Sequence, residues 1–366
     1  MPGPIRVAIL GQGRSGRDIH GDCLYKHTNY QIVAAADIDE NRRSRAASEY
    51  GCDIAEDYRA FLDRKDIDLV INALPSPLHA PVSLEFLRRG QSVLCEKPIA
   101  ASAADVERMM LTAKSTNSGL YFFQQNRFVT WFTLVQDILA SGVLGRPVIY
   151  KFRNNGFARR WDWQTLRCMD AGSLRNTGPH PMDQAVVLMN NKAMPEIFCH
   201  FDRVNTWGDA EDFVKIILRV PNCPVFDLEI SSCDRFSGPI FSLQAQNGSL
   251  RVDSQSIVYH YFEPKTAPVQ KLIKEPLEKT DGTPAYCSET LAWVEKSIDI
   301  GDASLTIGAQ PADGPTEILY DKLYAHIREG ADFEIRGEQI MQQIAIIDEC
   351  HRLFPMTGCD NLEALL

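Results

Sequence analysis

Two groups of residues in the N-terminal third have the types and spacing to do chemistry. The first is Gly11-x-Gly13-x-x-Gly16, between an apolar run at Ile5–Leu10 and a helix-like stretch. In that context Gly11 permits a tight turn, Gly13 lets the backbone approach a pyrophosphate, and Gly16 lets the helix pack closely on the strand. Gln12 lies inside the turn. The N–H groups of Arg14, Ser15 and Gly16 then open a helix, where the macrodipole favours an anion. The second group is Glu96-Lys97-Pro98, directly after the apolar run Ser92–Cys95. A partly desolvated lysine beside a cationic nicotinamide ring has a lowered pKa. It can take or give the proton of an alcohol while a hydride moves to or from the ring. Pro98 fixes the turn, and Glu96 can orient the lysine or the nicotinamide.

Asp37 and Ile38 follow the second apolar run, about 20 residues after the last glycine. A carboxylate there can accept hydrogen bonds from both adenosine ribose hydroxyls, and it repels a 2′-phosphate. Asp37 therefore favours NAD over NADP. Arg42 and Arg43 are near enough to hold a 2′-phosphate, so NADP remains the alternative.

These residues need a particular scaffold. Short apolar runs at Ile5–Leu10, 32–36, 67–73, Ser92–Cys95 and 120–123 alternate with helical segments. Asp39 can cap a helix over 40–50. Another helix ends at Gly90, and a third covers 102–115. That alternation predicts a parallel sheet covered on both faces, a doubly wound Rossmann arrangement. Beyond residue 126 the texture changes. After a helix at Thr130–Ala140 come strand-like runs at 147–153, 197–204, 212–219, 224–232, 240–246, 249–253 and 257–262. Helices are expected near 179–189, 288–298, 315–329 and 337–351. This reads as an α+β part with a large, mostly antiparallel open sheet. Two domains are expected, 1–125 for the cofactor and 126–366 for substrate and oligomer contacts. Segment 264–284, rich in Lys, Pro, Thr and Gly, reads as an exposed excursion.

Bulk properties narrow the class. The chain has 366 residues, 45% of them hydrophobic and 23% charged, with net charge −10. That length suits two domains, and the acidic balance argues against nucleic acid as the main partner. The ten cysteines form no C-x-x-C and no zinc spacing, so no metal site is expected and a reducing compartment fits. No targeting segment or bilayer-spanning run is evident, and the expected location is cytoplasmic.

Further motifs accompany the first two. They are Leu74-Pro75-Ser76-Pro77-Leu78-His79, Gln125-Asn126-Arg127-Phe128, Gly142-Val143-Leu144-Gly145, and the run from Ala171-Gly172-Ser173 through Asn176 and His180 to Asp183. In this order the set resembles the Gfo/Idh/MocA dehydrogenases, over nearly the whole chain. The resemblance implies that Lys97 hydrogen-bonds the reacting hydroxyl beside the nicotinamide. It implies that His180 is the general acid/base or its partner. Leu74, Ser76, His79 and Asn126 match positions that line the cofactor. Asp183, three residues after His180, would share its helix face and orient the ring. The resemblance also implies a homo-oligomer and a sugar, glycoside or cyclitol substrate oxidised to a keto sugar. One departure stands out. Asn176 occupies a position where many relatives have Asp, and an amide cannot accept a proton. Asn176 would then position the substrate while Lys97 and His180 share the proton work.

For the substrate wall, the segment 157–166 offers Arg160 and Trp163, since aromatic faces stack on sugar rings and Arg binds hydroxyls. Trp161 and Trp163 as core anchors are the alternative. Arg127 is a further candidate contact. His20, His27, His200, His260, His326 and His351 lack comparable context and are expected to be ordinary surface or core residues. Two other functions stay open: a reductase of a non-sugar substrate, and a catalytically silent NAD-sensing regulator.

Overall fold

A computed structural model describes residues 3–236, 238–301 and 314–356. The apolar runs of the first third form β1 (Ile5–Leu10), β2 (Tyr30–Ala36), β3 (Asp53–Ala55), β4 (Leu69–Asn72), β5 (Ser92–Cys95) and β6 (Leu120–Phe122). They pair in parallel in the order β3-β2-β1-β4-β5-β6. The inner strands are apolar on both faces: Val7, Ala8, Ile9, Val70, Ile71, Val93 and Leu94 are all fully buried. Helices α1 (Asp22–Lys26), α2 (Glu40–Tyr50), α3 (His79–Arg88) and α4 (Ala103–Thr116) make the crossovers. Asp39 caps α2 as its sequence position predicts, its Oδ1 accepting from the N–H groups of Asn41 and Arg42 at 2.8 and 3.1 Å. The strand order reverses beside β1, so a crevice opens outside the carboxyl ends of β1 and β4.

After α5 (Thr130–Ala140) the chain enters an eight-stranded sheet. Its strands are β7 (Pro147–Asn155), β8 (Glu196–Asp202), β9 (Phe213–Arg219), β10 (Val225–Ser231), β11 (Phe241–Ala245), β12 (Gly248–Val252), β13 (Ser256–Phe262) and an edge strand at Trp293–Asp299. All neighbours are antiparallel except β7 with β10. One face alternates inward with Phe152, Phe226, Leu228, Ile216, Phe241 and Val252, all buried. The short helix α6 (Ser173–Asn176), then α7 (Pro179–Met189), and later α8 (Pro315–Tyr324) and α9 (Gly337–Leu353) complete the chain. α9 packs against α7, β8 and α4, so it joins the two sheets.

The helix expected near 288–298 is not formed. Leu291, Val294 and Ile298 have helical spacing, but Trp293–Asp299 pairs along the whole of β13. An open strand edge offers a ladder of backbone partners, and that outweighs a weak local periodicity. Segment 264–284 is mostly exposed and holds one short strand, Leu277–Glu278, which pairs with Pro284–Ala285. No helix among the described residues is long and apolar enough to cross a membrane. Cys359 lies outside the described residues.

Candidate active site

The glycines shape the crevice floor. Gly11 has φ +85°, and a Cβ there would lie 2.6 Å from the carbonyl oxygen of Ala73. A Cβ on Gly16 would stand 1.8 Å from the carbonyl oxygen of Gly11. Both positions therefore require glycine for packing. Gly13 differs: a Cβ there would meet only the Arg42 side chain, at 3.9 Å. Its open side faces a cleft of ≈ 560 Å³ that Gly11, Gly13, Arg14, Ser15, Asp37 and Ile38 help to line. The cleft also reaches Leu74, Ser76, His79, Glu96 and Lys97.

Asp37 is nearly buried. Its Oδ2 accepts from the Gln12 N–H at 2.7 Å and its Oδ1 from the Asp39 N–H at 2.9 Å. Each oxygen keeps a further lone pair for a ribose hydroxyl. Of the two nearby arginines only Arg42 lines the cleft, 3.7 Å from Asp37. Arg43 is committed to the carbonyls of Asp37 and Ile38. Together with the open side of Gly13, these residues fit a dinucleotide: a turn for the phosphates and a carboxylate for the adenosine ribose.

The end of β5 carries the Glu96-Lys97-Pro98 turn. Glu96 is buried, and its Oε2 accepts from the Lys97 N–H at 2.7 Å. Burial alone would raise its pKa. The hydrogen bond from His20 and the nearby Lys97 hold it down at about 2. Lys97 is shifted the other way. Burial lowers its pKa, Glu96 opposes this, and Arg14 and Arg160 add to the lowering. The Nζ of Lys97 donates to the backbone carbonyl of Asn176 at 3.0 Å. His79 ties the walls together, Nδ1 to the Pro98 carbonyl at 2.6 Å and Nε2 to the Leu74 carbonyl at 2.7 Å.

His180 enters the same cleft from the first turn of α7. Burial, with Lys97 nearby, brings its pKa down to about 4. Its ring is therefore neutral near pH 7. Its Nδ1 is buried without a hydrogen-bond partner. The expected orienting residue is engaged elsewhere. Both oxygens of Asp183 are taken by Arg127, through Nε and Nη2 at 2.7 Å each. The remaining Arg127 nitrogen, Nη1, reaches the Glu334 carbonyl and Gln339. Asp183 thus does not orient His180, and Arg127 is a buried anchor instead of a substrate contact. The reason is geometric: a planar guanidinium matches a carboxylate bidentately, and an imidazole cannot compete for it.

Residues 5–122 match the model of the oxidoreductase family with an NAD-binding Rossmann fold. Residues 132–251 match the GFO/IDH/MocA C-terminal domain. The chain belongs to the Gfo/Idh/MocA family. Among curated relatives it is 34% identical over 170 residues to a dTDP-3,4-didehydro-2,6-dideoxy-alpha-D-glucose 3-reductase of Streptomyces violaceoruber, covering 45% of this chain and 48% of that one. It is 32% identical over 151 residues to an inositol 2-dehydrogenase of Rubrobacter xylanophilus, covering 40% and 43%. The chain thus spans about half the length of these relatives. Solved structures share the fold over nearly the whole chain. An oxidoreductase of Bacillus subtilis gives a TM-score of 0.78 at 19% identity, covering 96% of both chains. Biliverdin reductase from Synechocystis, in complex with biliverdin and NADP+, gives 0.74 at 15% over 95% and 98%. The WlbA dehydrogenase of Bordetella pertussis, in complex with NADH and UDP-GlcNAcA, gives 0.73 at 17% over 96% of both.

In this Gfo/Idh/MocA chain a second cavity, ≈ 240 Å³, adjoins the cleft and shares Gln164 and Asn176 with it. Its lining includes the polar side chains Asn154, Arg160, Thr177 and Glu211. Trp163 lines the main cleft and is 41% exposed, while Trp161 is 78% exposed. Neither is a core anchor. Three expected cofactor residues stand outside the cleft lining: Gln12, Gly16 and Asn126. Gln125 lines it in place of Asn126, and its Oε1 is buried without a partner. These residues form a single 3₁₀ turn, Gln125–Phe128, in which a shift of one residue changes the face a side chain occupies. The motif marked the turn but not the face.

Proposed function

We propose that this chain is an NAD-dependent oxidoreductase that interconverts a ring hydroxyl of a sugar, glycoside or cyclitol and the corresponding ketone. The observation that carries the reading is that Lys97, Asn176 and His180 line the same cleft as Gly13 and Asp37, with a second cavity adjoining at Asn176 that Asn154, Arg160 and Glu211 help to line. Bound NAD would supply the hydride acceptor. Gly13, Arg14 and Ser15 would hold its phosphates, and Asp37 its adenosine ribose, which favours NAD over NADP.

Lys97 binds the reacting hydroxyl. Burial lowers its pKa, so its free amine forms more readily than that of an exposed lysine and can take the proton. His180 is neutral at that pH and offers a second acceptor. Asn176 contributes its backbone carbonyl to Lys97, a group that any residue at this position would supply. Its amide is left to orient the substrate. Arg160, Gln164 and Trp163 would form the wall against the rest of the sugar. The same groups run the reaction in reverse, and the match to a dTDP-sugar reductase favours including that direction.

The division into cofactor and substrate parts at 125/126, a homo-oligomer, and a reducing cytoplasmic setting that suits the nine free cysteines among the described residues belong to the same proposal. The test is a panel of hexoses, inositols and glycosides incubated with NAD and scored for NADH and keto product. Turnover of a non-carbohydrate, with none of the panel oxidised, would refute the substrate class.

A further inference from the structure

His20 has no assigned role, yet it is fully buried and both of its ring nitrogens are bonded. Nδ1 lies 2.6 Å from Tyr320 Oη, and Nε2 lies 3.2 Å from Glu96 Oε1. Tyr320 is fully buried on α8, and burial keeps its hydroxyl protonated well above the usual tyrosine range. Its proton needs an acceptor, and a buried hydroxyl left without one costs about 1–3 kcal/mol. Tyr320 therefore donates to Nδ1. Nε2 then carries the ring proton and donates to Glu96. The other oxygen of Glu96 accepts from the backbone of Lys97. The result is a run of hydrogen bonds from Tyr320 through His20 that ends on Glu96, where the Lys97 backbone N–H donates from the other side.

Two features argue that this chain is more than core filling. A well-packed apolar trio would stabilise such a core at least as well as a buried polar one. What an apolar trio cannot provide is a negative charge beside Lys97. In addition, His20 sits in a π-helical turn, Arg14–Gly21, directly after the glycine loop. Such turns are rare and concentrate at functional sites. Phe123 and Tyr320 wall the ring edge-on, with centroids at 4.4 and 6.1 Å, so it has little freedom to turn.

We propose that His20, locked by Tyr320, is a positioning residue for Lys97: it fixes Glu96 as the charged carboxylate that anchors the catalytic turn. The inference rests on the reading of Lys97 as the proton-handling group. Lys97 faces Glu96, Arg14, Arg160 and His180. Glu96 faces His20, His79 and Lys97. Tyr320 faces Cys23, Tyr30 and Glu96. Without the His20 donor, burial drives Glu96 towards its neutral form. Lys97 then loses the charge that holds its proton, and the free amine becomes more abundant.

The experiment reads Lys97 directly. Wild type, His20→Phe, His20→Gln and Tyr320→Phe are labelled with trace acetic anhydride across pH, and Lys97 acetylation is measured by peptide mass spectrometry relative to exposed lysines. His20→Phe should label Lys97 about tenfold faster near pH 7, the rate change for one pKa step of a mostly protonated amine. His20→Gln should behave as wild type, because its amide oxygen accepts from Tyr320 and its nitrogen donates to Glu96. Tyr320→Phe should label faster than wild type and keeps the test open if His20→Phe does not fold. Equal labelling of Lys97 in wild type, His20→Phe and Tyr320→Phe overturns the proposal, as does a glutamine variant that fails to restore it. Labelling needs no turnover. A panel without activity would remove the proposed function and leave this result standing.

Discussion

Arg127→Met separates two roles for one residue. In the structure Arg127 gives Asp183 two hydrogen bonds of 2.7 Å, and both side chains are almost fully buried. Removing the guanidinium leaves a carboxylate that is 1% exposed with no counter-charge. Breaking a buried pair in this way costs about 3–5 kcal/mol. Taking the lower figure, the thermal midpoint should fall by roughly 6–12 °C, on the scale of a 150–250-residue unit. The double variant Arg127→Met/Asp183→Leu should recover most of the loss, because it removes both charges together. The assay is thermal unfolding of the three variants and wild type, with NAD affinity measured in parallel. The reasoning is refuted if Arg127→Met melts within about 2 °C of wild type and alters only a substrate KM. That outcome would restore Arg127 as a substrate contact.

Other consequences are equally open to measurement. Lys97→Met should lower turnover by ~10²-fold or more while NADH fluorescence titration shows near-normal binding; unchanged turnover would remove Lys97 from the chemistry. Gly16→Ala would place a methyl 1.8 Å from the Gly11 carbonyl oxygen, so NADH binding should be lost or the fold destabilised, whereas Gly13→Ala should fold normally and weaken cofactor binding alone. Asp37→Ser should weaken NADH binding by about tenfold, the loss of roughly 1.4 kcal/mol of ribose hydrogen bonding, and reduce the discrimination against NADPH. The last concerns pH. The His180 pKa is about 4 in the folded chain against 6.5 unfolded, so the unfolded state binds more protons between those values and stability falls as pH drops through that window. His180→Gln should flatten this part of a melting-temperature profile, and a variant with the wild-type slope would show that His180 is not the group responsible.

Much of the first half was legible because its rules are local. Gly11 and Gly16 are required by contacts set within one strand–turn–helix unit, and Asp39 caps a helix through neighbours two and three residues away. Short apolar runs such as Leu69–Ile71 report strands buried on both faces, which is what a parallel sheet needs. Lys97 could be placed at the cleft because strand ends in such sheets point there by topology. The antiparallel part was legible where inward and outward residues alternate, as in β9 and β10. It failed at Trp293–Asp299, where an open edge on β13 decided the outcome.

Side-chain partnership depended on folding. Asp183 lies one helical turn from His180, yet it serves Arg127, because α7 meets the Gln125–Phe128 turn only in the tertiary structure. In the sequence Asn176 stands out by its amide, but in the fold Lys97 meets its carbonyl. His20 looked ordinary because the two groups that bond it, Glu96 and Tyr320, are far away in sequence. The glycine motif and Glu96-Lys97-Pro98 by themselves determined that a glycine turn and a lysine would line one cleft, since backbone geometry sets both. Which charges surround that lysine was decided only when α7, the Arg14–Gly21 turn and the segment carrying Arg160 closed around it, because hydrogen bonds and Coulomb interactions depend on distance in space, whatever the separation along the chain.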